Sequence, residues 1–76
     1  MLPSLSVGSF NCNGMGNPKK RDLVLNWLKG KKEDIILLQE THSSAQTEAA
    51  WRTAWEGDII FNHGSTNSTG TAILVN

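Results

Sequence analysis

Several things are scarce in these 76 residues, and each scarcity excludes something. There is a single cysteine, Cys12, so no internal disulfide framework exists and the chain suits a reducing compartment. There is no excess of charge: seven basic and seven acidic residues give a formal net charge of zero, so total charge favours neither nucleic acid nor a membrane surface as partner. No apolar run approaches the roughly 18 residues of a membrane span. The opening "MLPSLSVG" has neither a basic leading segment nor a long apolar stretch, and it does not read as a signal peptide. The expectation is a soluble, intracellular chain with no membrane role. On that reading the sequon Asn67-Ser68-Thr69 is a chance match.

Length permits one domain with a small core. Six of the seven cations fall between Lys19 and Lys32, a local cluster that reads as a solvated helix face, with a phosphate-facing patch as the alternative.

Hydrophobic patterning gives an α/β order. Leu5 to Asn11 alternates like a strand. Asn17-Pro18 is a helix start, with Asn as N-cap and Pro in the first helical position. Leu23, Val24, Trp27 and Leu28 then recur at helical spacing up to a stop at Gly30. Ile35 to Gln39 is a continuous apolar run, the pattern of a strand buried on both faces. Ser43-Ser44-Ala45-Gln46 offers a capping box with Gln46 as the reciprocal partner. The short helix after it would carry Trp51 and Trp55, with Glu48 and Arg52 as a surface pair. Trp27, Trp51 and Trp55 all read as core and helix-to-sheet packing. Ile59-Ile60-Phe61 and Thr71 to Val75 are further strands suited to an antiparallel hairpin, joined by the turn-rich "HGSTNSTG" in which His63 reads as an exposed loop residue. The chain stops directly after an apolar strand, which reads as an interrupted domain.

Strand, helix, strand makes a βαβ unit with parallel strands and a right-handed crossover. Its consequence is geometric. The first strand ends at Asn11 and the second delivers Glu40, so the two belong at the same sheet edge, where open α/β sheets bind ligands. A carboxamide and a carboxylate are hard oxygen donors suited to magnesium. The alternative stays open that Asn11 caps a turn and Glu40 is a surface acid. Other motifs are poorer. "NGMGNPKK" has Lys19 where a dinucleotide fingerprint needs its third glycine, and it lacks the ending of a P-loop. Cys12 has no cysteine or histidine partner in sequence, and neither His42 nor His63 stands at zinc-ligand spacing with it.

"SFNCNGMG", a helix, and then "DIILLQETH" resemble the start of the endonuclease/exonuclease/phosphatase superfamily, and most of all the endonuclease domain of LINE-type non-LTR retrotransposons. "GTAILV" resembles that family's G-V-A-I-L strand, with Thr71 departing from its usual apolar residue. The resemblance implies the first third of a deoxyribonuclease I-like α/β/β/α sandwich, with residues 1–76 forming the N-terminal portion of one incomplete domain. It implies a magnesium-dependent endonuclease that nicks DNA, with manganese as an alternative metal. Glu40 would bind the metal, and Asn11 would help hold metal and scissile phosphate. Asn13 and His42 would lie near the nucleic acid, and Gln39 and Thr41 would support the site. Relatives complete the site with a histidine–aspartate pair, a D-x-N segment and a tyrosine. This chain has no tyrosine, and neither of its histidines matches the catalytic one, so the 76 residues are expected to be inactive alone. The implied partners are DNA, the rest of the domain and a reverse transcriptase in a nuclear parent polypeptide. Two other readings remain: a phosphatase or lipid phosphodiesterase of the same superfamily, and a non-catalytic remnant without a metal.

Overall fold

The computed structural model describes residues 4–64 and 69–76; the sequon at Asn67 lies outside them. The elements are β1 (Val7–Asn11), α1 (Pro18–Lys29), β2 (Ile35–Gln39), a short 3-10 turn (Ala45–Thr47), α2 (Glu48–Ala54), β3 (Asp58–Asn62) and β4 (Thr71–Val75). They form one four-stranded mixed sheet in the order β1-β2-β4-β3. β1 and β2 are parallel, as a βαβ unit requires, and β4 pairs antiparallel with both β2 and β3. The sheet and its helices are consistent with part of a deoxyribonuclease I-like sandwich.

Local chemistry explains α1. The Asn17 side chain accepts from the backbone N–H groups of Lys19 and Lys20, at 2.9 and 3.3 Å, and Pro18 occupies a position whose N–H has no helical partner. Gly30 ends the helix as expected. The buried face, however, is Arg21, Leu25 and Leu28. Leu23 is 71% exposed and Trp27 50%. Of the expected stripe, Leu28 is buried and Val24 packs against the core, whereas Leu23 and Trp27 turn outward, because 21, 25 and 28 share the face turned to the sheet. Trp27 packs at its edge, tilted against Phe10 with centroids 5.4 Å apart and covered by the Lys31 ammonium at 4.3 Å. It is not core. Trp51 and Trp55 are, although Trp55 caps α2 from just outside it.

The 3-10 turn opens at Ser44, and its reciprocal partner is Thr47, not Gln46. The Thr47 hydroxyl accepts from the Ser44 N–H at 3.0 Å and donates to the Ser44 carbonyl at 2.9 Å. A tight turn brings residue 47 over the cap and leaves Gln46 in solvent.

Among the described residues the buried apolar side chains form one cluster: Ile36, Leu38, Ile59, Ala72 and Leu74 from one face of the sheet, Leu25 and Leu28 from α1, Trp51 and Trp55 around α2, and Cys12 and Met15 from the loop after β1. The opposite face carries the alternate residues. By register these form three rows across the sheet: Val7, Ile35, Val75, Asp58; Ser9, Leu37, Ile73, Ile60; and Asn11, Gln39, Thr71, Asn62. Leu37 is 40% exposed and Ile60 59%. β2 is therefore buried on one face only. Its apolar run is suited to two-sided burial, but among the described residues both helices lie on the same side.

Candidate active site

The third of those rows is polar, and it marks the edge where β1 and β2 end. Asn11 is the register partner of Gln39. Beyond them the two chains stay laced: Cys12 N–H donates to the Gln39 carbonyl at 2.8 Å, Gly14 N–H to the Glu40 carbonyl at 2.8 Å and Met15 N–H to the Thr41 carbonyl at 3.1 Å. The parallel pairing thus continues into the loops and brings Asn11, Asn13, Gln39, Glu40, Thr41 and His42 to one sheet edge.

Each side chain there has a distinct environment. The Asn11 carboxamide oxygen accepts from the Asn13 N–H at 2.9 Å, so Asn11 does cap a turn. That uses one of the two lone pairs on the oxygen and leaves the other for a second partner. Glu40 is half-buried, and among the described residues no cation pairs with it. The Gln39 amide donates weakly to Ser9 at 3.5 Å. Lys20 reaches over the loop, its Nζ 3.2 Å from the Asn13 carbonyl. Thr41 is fully buried, whereas His42 is exposed. The His42 imidazole lies over Gly14, close enough that a Cβ there would sit 3.5 Å from its Cδ2.

Three non-glycine residues of this edge have left-handed backbone: Asn13 (φ 54°), Glu40 (φ 53°) and His42 (φ 51°). Asparagine tolerates this region; glutamate and histidine pay roughly 1–2 kcal/mol for it. Such conformations persist where the surroundings over-determine them, and they cluster at functional sites. The hydrogen bonds from Thr41 N–H to Gly70 O (3.3 Å) and from His42 N–H to Thr69 O (2.7 Å) hold the kinked segment against the approach to β4.

Cys12 is 1% exposed beneath this edge. Burial pushes its thiol up to about 11, with Lys20 opposing and Glu40 adding to the rise. A thiol held in that form is no nucleophile at neutral pH.

The donor types at this edge can be set against a hard divalent cation. Glu40 and Asn11 supply a carboxylate and a carboxamide oxygen, both hard donors. No cluster of three or more His, Cys, Asp or Glu occurs among the described residues. Two hard oxygen donors are of the type that magnesium takes alongside water and substrate phosphate.

Sequence reading missed two members of the polar row, Asn62 and Thr71, which extend it across the sheet to β3. The signal lay in the strand alternation, but only the β2–β4–β3 register joins them to Asn11. It also missed His63, which is not a loop residue in solvent. Its ring is stacked on Phe61 with centroids 5.0 Å apart, and both its nitrogens are hydrogen-bonded.

A βαβ start, a mixed sheet and a polar C-terminal edge with one unpaired carboxylate suit a metal-assisted phosphoester hydrolase. The chain belongs to the Endonuclease/Exonuclease/phosphatase family, whose model matches residues 8–76. It is also similar to the "Transposon TX1 uncharacterized 149 kDa protein" of Xenopus laevis, 37% identical over 71 residues. That match takes in 93% of this chain but 5% of the relative, so the chain spans a small part of that protein's length. The family's enzymes generally hydrolyse phosphodiester bonds and typically depend on a divalent metal. Among the described residues no helix is long and apolar enough to cross a membrane.

Proposed function

We propose that residues 1–76 carry the metal-binding edge of a magnesium-dependent DNA endonuclease domain of the LINE-type retrotransposon kind, and that they do not complete its active site. The observation that carries this reading is the register of Asn11 with Gln39, which sets Asn11 and Glu40 at one strand edge. The likeness to a 149 kDa transposon protein supports DNA as substrate and a larger parent polypeptide; a nuclear location and a reverse transcriptase in that parent belong to the proposal itself.

In this reading Glu40 is the charged ligand and Asn11 the neutral one, and Asn11 also faces the scissile phosphate. A bound divalent ion supplies charge stabilisation to the phosphate and its leaving oxygen. The left-handed turn at Glu40 holds the carboxylate at the mouth of the edge, and the laced loops keep Asn11 beside it. Asn13 and the exposed His42 flank the position of the nucleic-acid backbone, and Gln39 and Thr41 support the strand end. A base must still activate water. Neither histidine is placed for that: His42 lies over Gly14, and both nitrogens of His63 are engaged. The 76 residues therefore have no appreciable nuclease activity by themselves.

The test is magnesium titration of the 15N-labelled chain. Shifts at millimolar magnesium should concentrate on Glu40 and on the Asn11 side-chain amide, and should vanish in Glu40→Ala. Their absence from the wild type would overturn the metal assignment. Magnesium-dependent nicking of supercoiled plasmid by rigorously purified chain, lost in Glu40→Ala, would overturn the claim that the site is incomplete.

A further inference from the structure

Behind the Glu40 loop a chain of polar contacts runs out of the helical layer. Arg52 Nη2 lies 3.6 Å from Glu48 Oε1, and Glu48 Oε2 lies 2.6 Å from His63 Nε2. His63 Nδ1 is 2.7 Å from Ser43 Oγ, which is 3.0 Å from Thr41 Oγ1. Thr41 and Ser43 are 0% and 8% exposed. The stack on Phe61 fixes the plane of the imidazole, and Arg52 lies over the other aromatic ring of the pair at 5.5 Å.

The proton inventory of this chain is constrained. The Glu48 carboxylate only accepts, so His63 Nε2 carries a hydrogen. In the neutral ring Nδ1 then accepts from the Ser43 hydroxyl, and Ser43 Oγ accepts from Thr41. A protonated ring reverses the direction, since Nδ1 must then donate to Ser43. In both states every atom of the chain is paired, which a buried polar network requires.

The chain ends on the residue between the two strained ones. Glu40 and His42, both left-handed, flank Thr41. Backbone bonds tether this segment to Gly70, Thr69 and Met15, but its buried side-chain anchor is the Thr41 hydroxyl. We propose that His63, held by Glu48, is a positioning residue that fixes Ser43 and Thr41 and so keeps the Glu40 carboxylate at the strand edge. Its importance for metal binding rests on the reading of Glu40 given under Proposed function; its hold on the loop does not. The groups facing the ring are Glu48, with Arg52 behind it, from α2; Phe61 from β3; and the Ser43 hydroxyl from the loop.

The experiment is NMR of the labelled chain and two variants. A left-handed residue gives a strong intraresidue amide–Hα NOE, expected at Glu40 and His42 in the wild type. His63→Phe keeps an aromatic ring on Phe61 but removes both hydrogen bonds. It should weaken both NOEs and leave the β1–β2 amides in place. Ser43→Ala breaks the chain without touching the stack and should do the same. Either should weaken the magnesium response at Glu40 about tenfold, the scale of outer-shell losses at metal sites. Glu48→Gln can still accept from Nε2–H and should retain the wild-type loop. Wild-type NOEs and magnesium response in a folded His63→Phe or Ser43→Ala would overturn the proposal. Where neither variant folds, absence of the Glu40 and His42 NOEs from the wild type overturns it. A wild type with no magnesium response defeats the metal reading alone, and the NOEs still decide the positioning role.

Discussion

Asn11 and Gln39 are register partners on adjacent parallel strands, and the N–H of the residue after Asn11 donates to the Gln39 carbonyl at 2.8 Å. Glu40 is thereby the first residue past the paired edge, and the backbone turns left-handed at that point. The turn costs energy that a glycine would not pay. Glu40→Gly is expected to be more stable than Glu40→Ala by about 1 kcal/mol, because only alanine retains the Cβ clash of the left-handed region. Both should lose the magnesium response. Urea unfolding of the two variants measures the difference, and the reverse order would mean the loop relaxes to ordinary backbone when the carboxylate is removed.

Two glycines should behave oppositely. A Cβ on Gly57 would sit 1.9 Å from the Val75 carbonyl oxygen and 2.9 Å from Trp55 Nε1, which itself donates to that oxygen at 3.3 Å. A Cβ on Gly16 meets nothing within 4 Å. Gly57→Ala should cost more than about 2 kcal/mol, since the obstacle is backbone and cannot rotate away. Gly16→Ala should be near neutral. Thermal melts of both variants decide it.

The sheet face left uncovered among the described residues makes a solution prediction. Ile35, Leu37, Ile60, Ile73 and Val75 share it by register, and neighbouring apolar residues without a cover promote association. The chain should self-associate in analytical ultracentrifugation. Leu37→Thr with Ile60→Thr should shift it toward monomer with little loss of stability, because both side chains are already exposed. A monodisperse wild-type monomer would contradict this.

Acid should weaken one specific contact. The hydrogen bond from His63, with Arg52 adding to it, holds the Glu48 carboxyl below its ordinary range. A carboxyl lowered by folding contributes stability that is present above its unfolded value and is lost as pH falls through its folded value. Wild type should therefore melt above Glu48→Gln near neutral pH, and the gap should close under acid. A gap that widens on acidification would reverse the assignment.

The local features were legible because short-range chemistry dictates them. Asn17-Pro18 caps α1 whatever surrounds it, the βαβ order forces β1 and β2 parallel, and the Thr71–Val75 strand is bounded by Gly70. The errors share one origin. Which helical stripe is buried, whether β2 has one covered face or two, and whether His63 meets solvent all depend on what lies on the far side of each residue. Leu23 and Leu25 are the same amino acid, and only the direction of the sheet from α1 separates them.

The sequence by itself determined the order of elements, the edge to which Asn11 and Glu40 belong, and the family, since hydrophobic period, caps and short motifs are written within a few residues. Tertiary structure alone decided the polar row reaching from Asn11 to Asn62, the left-handed turns around Thr41, and the path from Glu48 through His63 and Ser43. Those depend on strand register and on contacts across 15 and 20 positions of chain, which no local pattern encodes.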